Sequence, residues 1–163
     1  MPIHNQKTEI RRGPPFFLIR LTDPHLHCLP SLHVIIAPFT VFKISLIMGK
    51  FAEGKDAYQA ETDHLFTMTV RIIDSVLFMK QHSVNCVPAG LFMLQGRIPE
   101  FTSKHSDMLL DNILKVPEIP VRNREEIVIY MKTLLGWFSN QQENKTFPEV
   151  LIDFLLNYPR TNS

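Results

Sequence analysis

The sequence predicts an all-α chain. Three observations predict it: apolar residues recur at helical spacing over several long stretches, the signals for strands are weak, and prolines and glycines cut the chain into pieces of helical length. With 163 residues the chain suits one domain, or one domain with an appendage. A composition that is 45% hydrophobic and 20% charged is too apolar for disorder. The net charge of +1 gives no electrostatic footprint for nucleic acid, so no nucleic-acid partner is expected. Cys28 and Cys86 are too few for a disulfide framework, which is compatible with a reducing or a membrane setting.

Residues 1–22 form a basic lead-in that holds Lys7, Arg11, Arg12 and Arg20. It is polar at its start and does not read as a signal peptide. Gly13, Pro14 and Pro15 forbid a helix across its middle. Pro24 and Pro30 keep residues 23–31 irregular. Ser31 is then a good N-cap, because an apolar run follows at once. Pro38 predicts a kink, or a helix start, at that point.

The first apolar run, 34–48, is broken only by Lys43. Gly49 and Gly54 bracket a polar connection, and a second helix is expected over 62–80. Its apolar run, 65–79, contains Arg71 and Asp74. A shorter third run, 83–94, is interrupted by Pro88 and Gly90. A comfortable membrane span needs about 20 apolar residues, so hydropathy alone favours a soluble helical core.

The character changes after Gly96. Residues 97–163 hold amphipathic segments between turns marked by Pro117, Pro120 and Pro148. Ile127, Ile129, Tyr130, Met131, Leu134, Leu135 and Phe138 fall mostly on one side of a helix. The charged residues at 122–126 read as a solvated helix start. Thr146, Phe147, Pro148 and Glu149 match a capping box with proline in the first turn, followed by an apolar stripe of Val150, Leu151, Phe154 and Leu155.

Candidate chemistry lies in two short stretches. One is Pro30-Ser31-Leu32-His33. The other starts at Ser75 and ends in Lys80-Gln81-His82. The first resembles the P-S-x-H motif of the type-2 phosphatidic acid phosphatase and vanadium haloperoxidase superfamily. The second resembles that superfamily's next motif, S-x6-H-x3-D. The two come in the family's order and at its usual gap, and the likeness covers residues 7–96. The family's first motif, K-x6-R-P, is matched only loosely, by Lys7 and the prolines at 14 and 15.

The resemblance implies a helical bundle of the phosphatidic acid phosphatase type over residues 1–96, incomplete at its N-terminus. Residues 97–163 would be an added C-terminal helical region that packs onto the first part or onto a partner protein. The three apolar runs would be the last three membrane helices of that bundle, with their charges turned to a polar site. The activity implied is hydrolysis of phosphomonoesters, lipid phosphates among them, at a membrane. His82 would be the nucleophile, His33 the general acid, and Ser31 and Ser75 phosphate donors. Lys7, with Arg12 near the expected arginine, would clamp the phosphate. No metal or other cofactor is implied.

The same chemistry follows from residue types. Phosphoester hydrolysis without a metal needs a nucleophile, an acid for the leaving oxygen, and cationic donors around the phosphoryl oxygens. Histidines, serines, lysine and arginine supply these. The sequence departs from the family pattern in three places. Cys86 stands where the third motif has aspartate, Val76 where many members have arginine, and Pro14 where the first motif has arginine. A thiol cannot orient an imidazole as a carboxylate does.

Two alternatives follow. One is a catalytically degenerate binding or structural protein that keeps the scaffold. The other is a small soluble metal-binding helical protein, in which His25, His27 and Cys28 join His33, His82 or Cys86. The spacing of His25, His27 and Cys28 is unlike common zinc patterns, and polar loop residues near a helix start are the simpler reading. Lys80 also has a simple reading, as a cation favoured at a helix C-terminus.

Overall fold

The computed structural model describes residues 30–51, 55–79, 82–115 and 121–157. Six helices follow in order: α1 (Leu32–Phe51), α2 (Lys55–Phe78), α3 (Cys86–Arg97), α4 (Ser103–Asn112), α5 (Arg124–Gln141) and α6 (Phe147–Asn157). No strand occurs among the described residues, so the all-α class stands. α1 and α2 pack as a pair, and α3 lies against α1 on one side and against α5 and α6 on the other.

α1 starts at Leu32, as the sequence predicts, but two details differ. Pro38 does not start a helix, since α1 runs through it to Phe51. Ser31 holds the N-cap position, and its carbonyl accepts the Ile35 N–H at 3.2 Å. Its Oγ, however, is buried without a hydrogen-bond partner among the described residues, so it does not cap by side chain. α2 begins at Lys55, seven residues ahead of the expected 62. The polar stretch ahead of Leu65 is good helix-forming sequence, and the hydrophobic period alone does not register it. Tyr58 fastens it to α1 by donating to the Ser45 carbonyl at 2.9 Å.

α3 is the centre of the molecule. Val87, Pro88, Ala89, Gly90, Leu91, Phe92 and Leu94 are all buried. Pro88 and Gly90 were expected to interrupt this run, yet both lie inside the helix. Pro88 sits in the first turn, where a missing N–H costs nothing. Gly90 sits where α1 comes closest, against Val34. Phe92 stacks on Phe138 of α5 at 5.3 Å and on Phe147 of α6 at 4.9 Å between ring centroids. Each such pair is worth about 0.5–1.5 kcal/mol beyond its area. One core runs from Val34 through α3 to Met131, Phe138, Val150 and Leu151, so it is continuous across the expected boundary at 96/97.

The amphipathic tail folds much as the sequence predicts. Val128, Met131, Leu134, Leu135 and Phe138 are the buried face of α5, with Ile129 exposed. Half of the capping box forms at α6, where Thr146 N–H donates to Glu149 Oε2 at 2.7 Å and the Thr146 hydroxyl donates to the same oxygen at 2.6 Å. Arg124 departs from the solvated start expected at 122–126. Its Nε donates to the Ile113 carbonyl at 3.0 Å and its Nη2 to the Asp111 carbonyl at 2.6 Å, closing the C-terminus of α4.

α1 is apolar on all sides, and only 11% of its most apolar window is buried. Leu32, Ile36, Phe39, Ile47 and Phe51 are exposed. It is the one described helix long and apolar enough to cross a membrane. Of the two other runs, α2 carries charges along its length, and α3, at 12 residues, is short of a span.

Candidate functional site

His33 lies one residue into α1 and is exposed; His82 lies in the connection between α2 and α3 and is half-buried. The fold brings them together. Their ring centroids are 5.9 Å apart and the planes meet at 61°, an edge-on pair. The docking of α3 on α1 accompanies this contact. Val34, the neighbour of His33, seats against Gly90 of α3, and the His82 connection leads directly into α3.

His33 also lines a cleft of about 420 Å³ with Met68, Arg71, Ile72, Ser75, Val76 and Met79. Ser75 and Arg71 are one turn apart on α2, so both point to the same side. Ser75 Oγ donates to the Arg71 carbonyl at 2.7 Å, a bond it must give up to donate to an anion. Arg71 is the described cation of this cleft. In the sequence it reads only as a charge interrupting an apolar run. Its i, i+4 spacing to Ser75 was the available signal.

The other expected phosphate ligands are not placed there. Ser31 is fully buried and is absent from the cleft lining, because its Oγ turns into the helix packing. Lys7, Arg11, Arg12, His25, His27, Cys28 and Lys80 lie outside the described residues. Among the described residues no three His, Cys, Asp or Glu side chains gather closely enough to hold a metal ion.

Cys86 opens α3 and is buried, and its N–H donates to the Ser83 carbonyl at 2.9 Å. Asn85, beside it, is also buried and accepts the Tyr130 hydroxyl at 2.7 Å. Asp74 points away from the cleft. Its Oδ1 accepts the Leu114 N–H at 2.7 Å, and its Oδ2 has no partner among the described residues. Burial raises the Asp74 pKa, against the lowering effects of the Leu114 N–H and the Arg124 charge. Asp74 therefore serves the loop after α4 and is not a substitute for the missing motif aspartate.

A second groove runs from the cleft between α1 and α2. It holds about 380 Å³ and is lined by Leu32, Ile36, Val41, Leu65 and other mostly apolar residues. His33, Met68 and Ile72 line both spaces, so a polar end and an apolar trough are continuous.

His33, beside a guanidinium and a hydroxyl, can bind an anion and move protons, while His82 meets the His33 ring but does not line the cleft. In-line transfer of a phosphoryl group between the rings needs roughly 7 Å or more between the reacting nitrogens. With centroids 5.9 Å apart, that separation is met only between nitrogens on the far sides of the rings, so a ring must turn to admit it. His33, exposed at a helix end, is the ring free to do so.

Comparison of the chain with protein families, with curated proteins and with solved structures found no match.

Proposed function

We propose that this chain handles phosphomonoesters as a hydrolase of the phosphatidic acid phosphatase type, with its helices arranged as in that bundle. The single observation that supports this reading best is the pairing of His33 and His82, distant in sequence and 5.9 Å apart in space. Arg71 and Ser75 beside His33 supply the cation and hydroxyl the chemistry needs.

In the proposed reaction an imidazole nitrogen of His82 attacks phosphorus, and the bond to the ester oxygen breaks. That oxygen leaves with a proton from His33. Water then attacks the phosphohistidine, giving its proton to His33, and phosphate departs as the bond to His82 breaks. Arg71 neutralises charge on the phosphoryl oxygens throughout. The apolar trough that shares His33, Met68 and Ile72 with the cleft favours esters with a hydrocarbon tail, such as lipid phosphates. α1, exposed and apolar on all sides, favours a position in or at a membrane.

A second reading is a phosphate-binding protein without turnover. It is favoured by the buried thiol of Cys86 at the place of the orienting carboxylate and by the burial of Ser31 away from the cleft. Hydrolysis of an aryl phosphate by the full chain in detergent separates the two. Turnover that is lost in both His33→Ala and His82→Ala supports the hydrolase. Vanadate binding without turnover supports the second reading, and neither binding nor turnover overturns both.

A further inference from the structure

The C-terminal helices lie outside the resemblance, yet they grip the segment that carries His82. Two buried side chains, one at each end of that segment, reach across to them. At the α2 end, Asp74 Oδ1 takes the Leu114 N–H of the loop after α4 at 2.7 Å. Leu114 holds a left-handed backbone, with φ of 59°, and its side chain is buried. A non-glycine residue there is strained, so the contact is held by its surroundings. At the α3 end, Asn85 Oδ1 takes the Tyr130 hydroxyl of α5 at 2.7 Å.

Between these anchors the chain turns tightly. Asn85 N–H lies 3.3 Å from Ser83 Oγ, and the Cys86 and Val87 N–H groups donate to the Ser83 and Val84 carbonyls at 2.9 and 3.3 Å. Asn85, held in this turn, stands three residues from His82 along the chain. Asn85 is buried and has little freedom of its own.

We propose that Tyr130 is a positioning residue: its hydroxyl, through Asn85, sets the His82 ring against His33. α5 thereby stabilises a histidine connection in which a thiol has replaced the carboxylate of the resembling motif. The Asp74 contact fixes the other end, so the loop after α4 and α5 form a brace for the histidine pair. The inference rests on the proposed function only for its catalytic consequence, because the ring geometry is measurable by itself.

The test is the nuclear Overhauser contact between the ring protons of His33 and His82, measured on the full chain in detergent micelles. Tyr130→Phe removes the hydroxyl and keeps the ring, and Asn85→Ala removes the acceptor. Met131→Leu, next to Tyr130 on α5 and buried, is the packing control. The inter-ring contact is expected to fall at least about threefold in the first two variants and to persist in the control. Aryl-phosphate turnover, where the wild type has it, is expected to fall by up to about a hundredfold in the same two. An undiminished inter-ring contact in either variant, at a temperature where it is folded, overturns the proposal. A contact that falls equally in the packing control also overturns it, since α5 would then act by bulk alone. A lost contact in a chain with no wild-type turnover leaves the brace standing and removes only the hydrolase.

Discussion

Val34 on α1 and Gly90 on α3 meet so closely that a Cβ built on Gly90 would lie 2.9 Å from Val34 Cγ1 and 3.2 Å from its Cβ. Val34 is buried, and the branched carbon sits near the backbone, so it cannot swing aside. Gly90 is thus the low point over which α1 passes, and the position of His33 depends on it.

Gly90→Ala is therefore expected to lower stability by about 1–3 kcal/mol despite the better helix propensity of alanine. Thermal unfolding measures it. Adding Val34→Ala should recover part of the loss by reopening the space, in spite of the smaller core. If Gly90→Ala raises the melting temperature, the crossing is looser than described.

Asp74 gives a pH dependence with an unusual sign for a carboxylate. Burial raises its pKa above the ordinary 3.8. Its protonated form suits the fold better, so its contribution to stability is full below the ordinary carboxylate pKa. That contribution is lost as pH rises through the raised value. Asp74→Asn keeps an acceptor for the Leu114 N–H and should flatten this part of the stability profile. Asp74→Leu leaves that N–H buried and unpaired, at a cost of about 1–3 kcal/mol. Denaturant unfolding of the three proteins between pH 4 and pH 7 checks both.

His105 gives the opposite sign. It sits against Phe42 and Phe101 at 4.9 and 5.4 Å between ring centroids, and its Nδ1 accepts the Thr102 N–H at 3.1 Å. Burial, with the Lys104 charge next, lowers its pKa below 6.5. The neutral ring is the form that accepts, so the stability it lends is present above pH 6.5 and lost as pH falls through the lowered value. His105→Gln keeps an acceptor that does not titrate. The melting temperature of that variant should vary less than the wild type's between pH 5 and pH 7.

Arg71 tests the cleft apart from the histidines. Arg71→Met should weaken vanadate binding about tenfold, and Arg71→Lys should restore only part, because lysine keeps the charge but not the planar fork. Titration calorimetry reads the affinities. Unchanged binding in Arg71→Met would place the anion elsewhere.

The helices were largely legible from the residues. Apolar recurrence marked α1, α5 and α6, and the capping box marked the start of α6 at Phe147. Even the pairing of His33 with His82 was anticipated from motif order. The lining of the cleft was not. Successive residues on a helix are rotated by about 100°, so a side chain's direction depends on which neighbour its helix presses against. Ser31 was expected beside the phosphate and is buried, while Arg71, read as an interruption, faces the cleft.

The sequence by itself determined the helical class, the starts of α1, α5 and α6 and the two histidines worth joining, because these depend on local spacing and backbone preference. Tertiary structure decided the cleft cation, the turning-in of Asp74 and the grip of Tyr130 on Asn85. Those contacts join residues far apart along the chain. Their geometry exists only once α3 has settled between α1 and α5.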